Sequence, residues 1–252
     1  MKIVVIGGTG LIGSKLVAKL TEHGHEAVVA APSTGVNTLT GEGVAETLTG
    51  ADVVVDVSNS PSFEDAAVMD FFTTSTTNLL DAAREAGVGH YVALSVVGTQ
   101  RLSESGYFRA KIAQEELIAG SGLPYTIVHA TQFFEFVSGL ADIQTVDGVV
   151  HMSTAGIQPI AGDDVAAAVG RASVGSPAGG IVEVGGPQRF ELDDFVRIGL
   201  EFRGDPRPVV ADPEARYSGA RLDDDTLLPG EGAQLSTTTF EEWLPLNPPP
   251  AR

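Results

Sequence analysis

Two side chains that can move a proton stand four residues apart near the middle of the chain. Tyr107 and Lys111 lie in the segment ESGYFRAK, and this spacing places both on one face of a helix. A phenol with its ordinary pKa of about 10 is a poor proton donor or acceptor at neutral pH, but a neighbouring ammonium brings that pKa toward the working range. The pair is predicted to act as a proton relay, with two solvated neighbours as the alternative.

A serine precedes this pair at the end of an apolar segment. Ser95 closes the run HYVALS, which has the length and composition of a buried strand. In a doubly wound sheet, ligands bind outside the carboxyl ends of the strands, so Ser95 is expected at that crevice. Its hydroxyl is suited to hydrogen-bond a substrate carbonyl and to stabilise the alkoxide that develops as hydride arrives.

A glycine-rich turn follows the first strand candidate. The segment IVVIGGTGLIGSKLV has the order of a strand, a tight turn and the start of a helix. A turn without side chains lets the backbone approach a pyrophosphate, whose charge rests on free N–H groups at the helix N-terminus. The predicted cofactor contacts are Gly7, Gly10, Leu11, Ile12 and Gly13. The alternative is a structural turn that binds nothing.

The segment after the second strand candidate bears on the choice of cofactor. A site that prefers NAD usually carries a carboxylate here for the ribose hydroxyls, but no acid occurs between Ala27 and Gly41. Ser33 and Thr34 can donate to a 2′-phosphate, so NADP(H) is favoured over NAD(H), although the arginine that often neutralises that phosphate is absent too. After the third strand candidate, Ser58 and Asn59 suit the adenosine side of the cofactor, or they only cap a loop.

The elements that must position these residues alternate along the chain. Apolar runs of strand length, separated by segments with helical spacing, stand at 3–6, 27–31, 53–57, 91–94 and 125–128. This alternation predicts an α/β fold with a doubly wound, Rossmann-like parallel sheet. Further strand candidates at 149–152, 158–160 and 181–184 and helices near 165–174 and 192–202 predict a small C-terminal substrate lobe. Asp163 and Asp164 are interpreted as caps of a helix rather than as catalytic carboxylates.

We expect a single domain over 1–252. Residues 1–131 would form mainly the dinucleotide-binding core, 132–245 mainly a substrate-side lobe with interleaved core elements, and 246–252 a frayed tail. In this lobe, Phe133 and Phe134 would make an apolar wall, while His129 and Gln132 would hydrogen-bond the nicotinamide carboxamide or the substrate. The alternative is that all four are packed core residues.

The amino-acid composition limits the kinds of binding partner that we expect. The net charge of −18 would repel nucleic acid and anionic membrane surfaces, so neither is expected. The chain has no cysteine, and its histidines show no metal-ligand spacing, so no metal site is predicted. The expected partner is a small-molecule substrate, with a homodimer left open, and the expected location is cytoplasmic.

The glycine-rich turn, the serine at a strand end and the Tyr107-x-x-x-Lys111 pair together resemble the short-chain dehydrogenase/reductase superfamily and, within it, the atypical, NmrA-like NAD(P)-binding branch. The segments STTNLLDAAREAGVGHYVALS, SGLPYTIVHATQFFEF and PIAGDDVAAAV extend the resemblance over most of the chain. It implies a Rossmann core that binds NAD(P)H. By position, it implies that Tyr107 is the general acid/base, that Ser95 orients the carbonyl, and that Lys111 tunes Tyr107 and holds the nicotinamide ribose.

Two departures from the family pattern bear on activity. Phe72 stands where many short-chain reductases carry an asparagine that supports a water relay, so any proton path must differ. Many NmrA-like proteins lack the tyrosine and act as redox sensors. The expected function is an NAD(P)H-dependent oxidoreductase acting on a carbonyl, quinone or enone of a small apolar metabolite. The alternatives are an NADP(H)-sensing regulatory protein without turnover, and an isomerase or lyase that retains its nucleotide.

Overall fold

A computed structural model describes residues 1–248 of the chain. Residues 249–252, which belong to the predicted frayed tail at 246–252, lie outside the described residues. Backbone contacts divide the chain into two compact units. Among the described residues, the first comprises 1–95, 105–129 and 165–182, and the second comprises 96–104, 130–164 and 183–248.

Twelve strands and eight α-helices are formed by the described residues. The strands are β1 (Lys2–Ile6), β2 (Glu26–Ala30), β3 (Val53–Asp56), β4 (His90–Val96), β5 (Tyr125–Ala130), β6 (Thr145–Val146), β7 (Val149–Met152), β8 (Gly156–Ile157), β9 (Gly180–Gly185), β10 (Phe190–Glu191), β11 (Val209–Ala211) and β12 (Gln234–Leu235). The helices are α1 (Leu11–Glu22), α2 (Val44–Leu48), α3 (Asp65–Glu85), α4 (Gly106–Gly120), α5 (Val137–Ile143), α6 (Gly162–Val174), α7 (Leu192–Phe202) and α8 (Phe240–Leu246). Short 3-10 helices cover Pro32–Thr34, Thr99–Arg101 and Phe134–Phe136.

A seven-stranded sheet with flanking helices confirms the predicted Rossmann-like α/β fold. Its strand order is β12-β9-β5-β4-β3-β1-β2, and β1 pairs in parallel with β2 on one side and β3 on the other. The direction in which the chain winds reverses at β1, so the ligand crevice of this sheet type lies beyond the ends of β1 and β3. The registers pair Ile6 with Ala30 and with Asp56, so these three strands end at one edge.

The first unit is held by apolar strands covered by helices. In β1, Ile3–Ile6 are all buried, as expected for a strand packed on both faces. Helix α1 buries Ile12, Leu16 and Leu20, which recur at four-residue spacing and so form one stripe. Helices α3 and α4 pack against each other through a cluster that includes Val68, Phe72 and Ala110. The predicted amphipathic spacing therefore produces the expected core.

The second unit has an aromatic core of its own. The rings of Phe195, Phe240 and Trp243 surround Phe134, with ring centroids 5.0–6.4 Å from it. Helix α8 begins with a capping box in which the Thr239 hydroxyl accepts the Glu242 N–H, and the Glu242 carboxylate accepts in return. Small sheets complete the unit, one of β6, β7 and β11 and one of β8 and β10.

Two local expectations are wrong in the second unit. The strand expected at 158–160 is absent: β8 lies at Gly156–Ile157, because Pro159 has no N–H to continue the ladder, and Ile160 makes only an isolated bridge to Phe133. Asp163 and Asp164 lie inside the first turn of α6. The N–H of Gly162 at the start of that helix is bonded instead by the Glu135 carboxylate, with both oxygens at 3.1 Å.

No helix formed by residues 1–248 combines the length and the apolarity that a membrane crossing requires.

Gly13→Ala should destabilise the protein by more than about 2 kcal/mol, because a Cβ at Gly13 would lie 2.1 Å from the Gly7 carbonyl oxygen and the backbone would have to move. Gly139→Ala in α5 is the matched control. A Cβ there meets no atom within 4 Å, so the substitution should stabilise the helix by about 0.5–1 kcal/mol. Urea unfolding of both variants measures the two effects, and equal effects would contradict the packing described for the turn.

Candidate active site

The glycine-rich turn packs tightly against the loop after β3. Gly7 has a left-handed backbone with φ +77°, its N–H donates to Ala30 C=O at 2.9 Å, and its C=O accepts from Gly10 N–H at 2.9 Å. A Cβ at Gly7 would lie 2.9 Å from the Ser58 backbone. Glycine is required at this position for conformation and for space, and the turn brings two predicted cofactor residues, Gly7 and Ser58, together.

The start of α1 fits a dinucleotide pyrophosphate. The first N–H bonded in the ladder is that of Ser14, which donates to Gly10 C=O at 3.0 Å. The N–H groups of Leu11, Ile12 and Gly13 therefore have no acceptor within the helix, and the first turn carries no acidic side chain. An anion would be stabilised there by the N–H groups and the helix dipole.

The hydroxyl and amide groups predicted to contact the cofactor ribose mostly hold their own loops. Thr34 Oγ1 accepts the Ala31 N–H at 3.0 Å and lies 3.0 Å from Ala31 C=O. The Ser58 hydroxyl donates to Asp56 at 2.6 Å, and Asn59 accepts the Ser60 N–H at 3.0 Å. Ser33 is exposed in the 3-10 helix after β2, so it is the better placed of the predicted donors to a 2′-phosphate.

Tyr107 and Lys111 converge on the ring of Phe72. Lys111 Nζ lies 4.5 Å from the centroid of that ring, and the ring of Tyr107 meets it edge-on with centroids 6.0 Å apart. Tyr107 also contacts Phe63 and Phe108, so its ring is held among aromatic side chains. Phe72 thus serves as the platform on which the predicted relay packs.

The ammonium of Lys111 is buried, with 2% of the residue exposed. It donates to Leu94 C=O at 3.0 Å and to the side-chain oxygen of Gln114, whose amide nitrogen donates in turn to Asp56 at 3.1 Å. Burial lowers the pKa of Lys111 to about 8, although the charges of Asp56 and Glu115 oppose this shift. The group therefore exchanges its proton much closer to neutral pH than an ordinary lysine.

Ser95 is tied to a buried carboxylate. Its hydroxyl donates to Glu115, and the same oxygen of Glu115 lies 2.9 Å from His129 Nε2. Burial alone would raise the pKa of Glu115, but hydrogen bonds from His129 and Ser95 and the charges of His129 and Lys111 outweigh it, so the pKa lies below its usual range. Because its hydrogen is already donated, Ser95 must release Glu115 before it can donate to a substrate carbonyl.

The residues predicted to form the substrate pocket separate into different environments. Phe134 is 1% exposed in the aromatic core of the second unit, so it is a core residue. Phe133 is half-buried and stacks on Phe136 with centroids 5.2 Å apart. His129 is occupied with Glu115, whereas Gln132 is buried. Phe134 is therefore part of the aromatic core, while the pocket roles of Phe133, His129 and Gln132 stay predictions.

Three residues of this cluster were not predicted from the sequence. Asp56 closes the apolar strand VVVD, and Gln114 and Glu115 follow Lys111 by three and four residues on α4. The helical spacing was a usable signal, since residues three and four apart share a face. Residues 1–248 contain no group of three or more His, Asp or Glu side chains arranged to hold a metal.

A family model described as NAD(P)H-binding matches residues 7–172. This span runs from the glycine-rich turn through Ser95, Tyr107 and Lys111 into α6, and it covers more than half of the chain. The chain belongs to the NAD(P)H-binding family. Binding of an NAD(P) nucleotide at the carboxyl edge of the sheet agrees with the fit of the α1 N-terminus to a pyrophosphate.

The alignments with curated relatives cover about half of each relative's length, or less. A Photosystem II assembly factor, Ycf39, of Cyanophora paradoxa is 27% identical over 161 residues, which cover 58% of this chain and 50% of the relative. A chloroplastic divinyl chlorophyllide a 8-vinyl-reductase of Cucumis sativus is 28% identical over 173 residues, covering 56% of this chain and 41% of the relative. The chain therefore spans about half the length of the relatives, or less.

Among solved structures, a short-chain dehydrogenase/reductase superfamily protein from Agrobacterium tumefaciens with bound NAD has the same fold. Its TM-score is 0.74 at 17% identity, with 98% of this chain and 95% of that chain covered. At this identity the likeness concerns the fold alone. The family match confirms the NAD(P)-binding part of the predicted resemblance, and the structural likeness confirms the fold.

Glu115→Gln should lower the free energy of unfolding at pH 7 by at least about 2 kcal/mol, because it removes the buried charge that pairs with His129. Glu116→Gln changes an exposed neighbour and should stay within about 0.5 kcal/mol of the wild type. Since the folded pKa of Glu115 is depressed, its contribution is complete above the unfolded pKa and is lost as the pH falls through the folded value. Urea titrations at pH 7 and pH 3 should show the gap between the variants closing in acid.

Proposed function

We propose that the protein is an NADPH-dependent oxidoreductase that reduces a carbonyl, quinone or enone of a small, rather apolar molecule. The observation that carries this proposal is the buried ammonium of Lys111, which lies on the same phenylalanine ring as Tyr107 and has a pKa of about 8. In this proposal Tyr107 is the proton source and Lys111 the group that tunes its pKa, and contact of both with the ring of Phe72 supports that pairing. A purely structural lysine would more commonly leave its ammonium in solvent.

Different residues of the chain carry out different parts of the proposed reaction. The N–H groups at the start of α1 hold the pyrophosphate, and the bound nicotinamide supplies the hydride. Tyr107 donates the proton to the oxygen of the substrate, and Lys111 favours the phenolate left behind. Ser95 donates to the same substrate oxygen once its hydroxyl turns away from Glu115. In this scheme Gln114 and Glu115 are positioning residues, since they act through Lys111 and Ser95.

NADPH is proposed as the preferred cofactor. The support is the loop after β2, where Ser33 is exposed and no carboxylate is present to repel a 2′-phosphate. A cytoplasmic location and a homodimer are kept as parts of the proposal that rest on the sequence alone.

A second candidate is an NADP(H)-sensing protein that regulates a partner without turnover. Two observations favour it. The name of one relative describes an assembly factor rather than an enzyme. In addition, the Ser95 hydroxyl already donates to Glu115. The Lys111 ammonium already donates to Leu94 C=O and to the side-chain oxygen of Gln114. Such a protein would bind the nucleotide with these internal bonds intact.

The deciding experiment titrates the protein with NADPH and NADH by nicotinamide fluorescence, then adds a panel of quinones, enones and aromatic ketones under the tighter cofactor. An oxidoreductase binds NADPH more tightly and oxidises it only when a substrate is present. Tight binding without oxidation across the panel would favour the sensor.

Tyr107→Phe should reduce the rate of NADPH oxidation at least about 100-fold, the range of a lost general acid, while leaving the Kd for NADPH within about twofold. Tyr125→Phe removes a hydroxyl from β5 and serves as the control with wild-type turnover. Unchanged turnover in Tyr107→Phe would remove the tyrosine from the mechanism.

The rate should also fall as the pH rises through about 8, where the ammonium of Lys111 loses its proton. Asp56→Asn removes a charge that raises the pKa of Lys111. The alkaline fall of the plot of rate against pH should therefore move to lower pH. The measurement is kcat between pH 6 and 10 for both proteins. A fall at the same pH in Asp56→Asn would show that Lys111 does not set it.

A further inference from the structure

An exposed phenylalanine lies in the loop between β3 and α3, within the first unit. The side chain of Phe63 is 66% exposed, compared with 50% for Phe136 and 43% for Phe202. An isolated exposed apolar side chain is common on protein surfaces, so the surroundings of Phe63 decide whether its ring has a function.

The ring of Phe63 packs on the ring of the proposed proton donor. The ring centroids of Phe63 and Tyr107 are 5.7 Å apart, and the two ring planes are inclined by 47°. Tyr107 meets the buried rings of Phe72 and Phe108 edge-on, with centroids 6.0 Å and 5.3 Å away. Phe63 is therefore the solvent-facing member of an aromatic cluster whose inner members belong to the core of the first unit.

The loop that carries Phe63 is held in shape by its own serine side chains. The N–H of Ser62 donates to Ser60 Oγ at 3.2 Å, and the N–H of Glu64 donates to Ser62 Oγ at 3.2 Å. A serine hydroxyl that accepts the backbone N–H two residues further on stabilises a turn. The backbone on either side of Phe63 is thus held by hydrogen bonds while its ring stays exposed.

The end of this loop is anchored on the helix that carries Tyr107. Asp65, the first residue of α3, pairs with Arg109 of α4 at 2.7 Å. Its carboxylate also lies directly against Gly106, the first residue of α4, where a Cβ would be 1.9 Å from Asp65 Oδ1. These contacts hold the loop of Phe63 beside the start of α4, so Phe63 and Tyr107 keep a fixed relation to each other.

The charges around Phe63 bear on the kind of ligand that could contact it. Glu64 and Asp65 follow Phe63 directly, and Arg109 is the cation that pairs with Asp65. One positive charge therefore stands against two carboxylates next to the ring. This balance repels an anionic ligand and tolerates an uncharged one.

We propose that Phe63 is a specificity-determining residue that contacts the substrate and selects molecules in which an uncharged aromatic ring adjoins the reducible oxygen, as in an aryl ketone. The ring of Phe63 packs against the ring of the substrate, while Tyr107 faces the oxygen attached to that ring. An aromatic pair contributes more than its buried area alone, so a planar ring binds more tightly here than a saturated ring of similar size. This inference rests on the proposed function, because it names the class of substrate that would lie beside Tyr107.

The test compares two ketones on protein saturated with NADP⁺, so that each ketone binds without being reduced. The ¹⁹F NMR signal of bound 4-fluoroacetophenone is displaced either by acetophenone or by cyclohexyl methyl ketone, and the displacement gives a Kd for each. The wild type should bind acetophenone about fivefold more tightly, the effect of a single aromatic pair.

Substitutions at Phe63 should change this preference. Phe63→Leu should weaken acetophenone binding about fivefold and leave cyclohexyl methyl ketone within about twofold, so the preference disappears. Phe63→Tyr keeps a planar ring and should keep the preference. Phe202→Leu alters an exposed phenylalanine at the end of α7 and is the matched control, which should bind both ketones as the wild type does.

Further readouts separate a substrate contact from other roles of the ring. Because Phe63 is exposed, Phe63→Leu should keep the Tm within about 2 °C and the Kd for NADPH within about twofold of the wild type. A weaker Kd for NADPH would show that the ring contacts the nucleotide, and a smaller mass in sedimentation would show that it contacts a second copy of the chain. Either result would overturn the proposal.

The ketone affinities can overturn the proposal as well. If Phe63 only positions Tyr107, Phe63→Leu would lower kcat and leave the preference for acetophenone unchanged. Equal weakening of both ketones, or a wild type without preference, would likewise contradict a contact between Phe63 and the aromatic ring of a substrate.

Failure of the proposed oxidoreductase activity would look different. Acetophenone would still bind in preference to cyclohexyl methyl ketone and would still be weakened by Phe63→Leu, but NADPH would not be oxidised by any ketone of the panel.

Discussion

The candidate active site is organised around the buried ammonium of Lys111. A charge removed from water must be compensated by groups whose geometry is fixed, because the interior cannot reorganise around it. Here the compensation comes from a strand carbonyl at Leu94, from Gln114 linked to Asp56, and from the face of Phe72. Strands β3 and β4 and helices α3 and α4 must all be in place before this ammonium is accommodated.

The glycine-rich turn has to meet two requirements, one of stability and one of anion binding. Gly7 and Gly13 are needed because a side chain at either position would collide with the backbone, at Ser58 and at Gly7 respectively. The same close packing leaves the N–H groups at the start of α1 without acceptors. The requirement for stability and the requirement for an anion site therefore coincide in this turn, and stability measurements alone would not separate them.

Buried polar groups differ in whether their hydrogen bonds are completed, and within residues 1–248 the first unit also holds unbonded hydroxyls, at Ser75 and Thr76. Around Lys111 and Glu115, each buried charge is bonded to neighbours, which gives the first unit a rigid arrangement. At Gln132 the second unit retains a buried amide without completed bonds. A satisfied network suits groups whose protonation has to be controlled.

The sequence by itself determined the order of strands and helices, the nucleotide-binding turn and the Tyr107–Lys111 pair, because these depend on local spacing and on side-chain size. It misplaced a strand at Pro159 and the cap of α6, which Glu135 supplies from a distant position. Only the tertiary structure decided that Ser95 faces Glu115, that Phe134 belongs to the core and that the Gln132 side chain is buried. These contacts join residues far apart in the chain, and no periodicity in the sequence encodes which distant partner a buried polar group will meet.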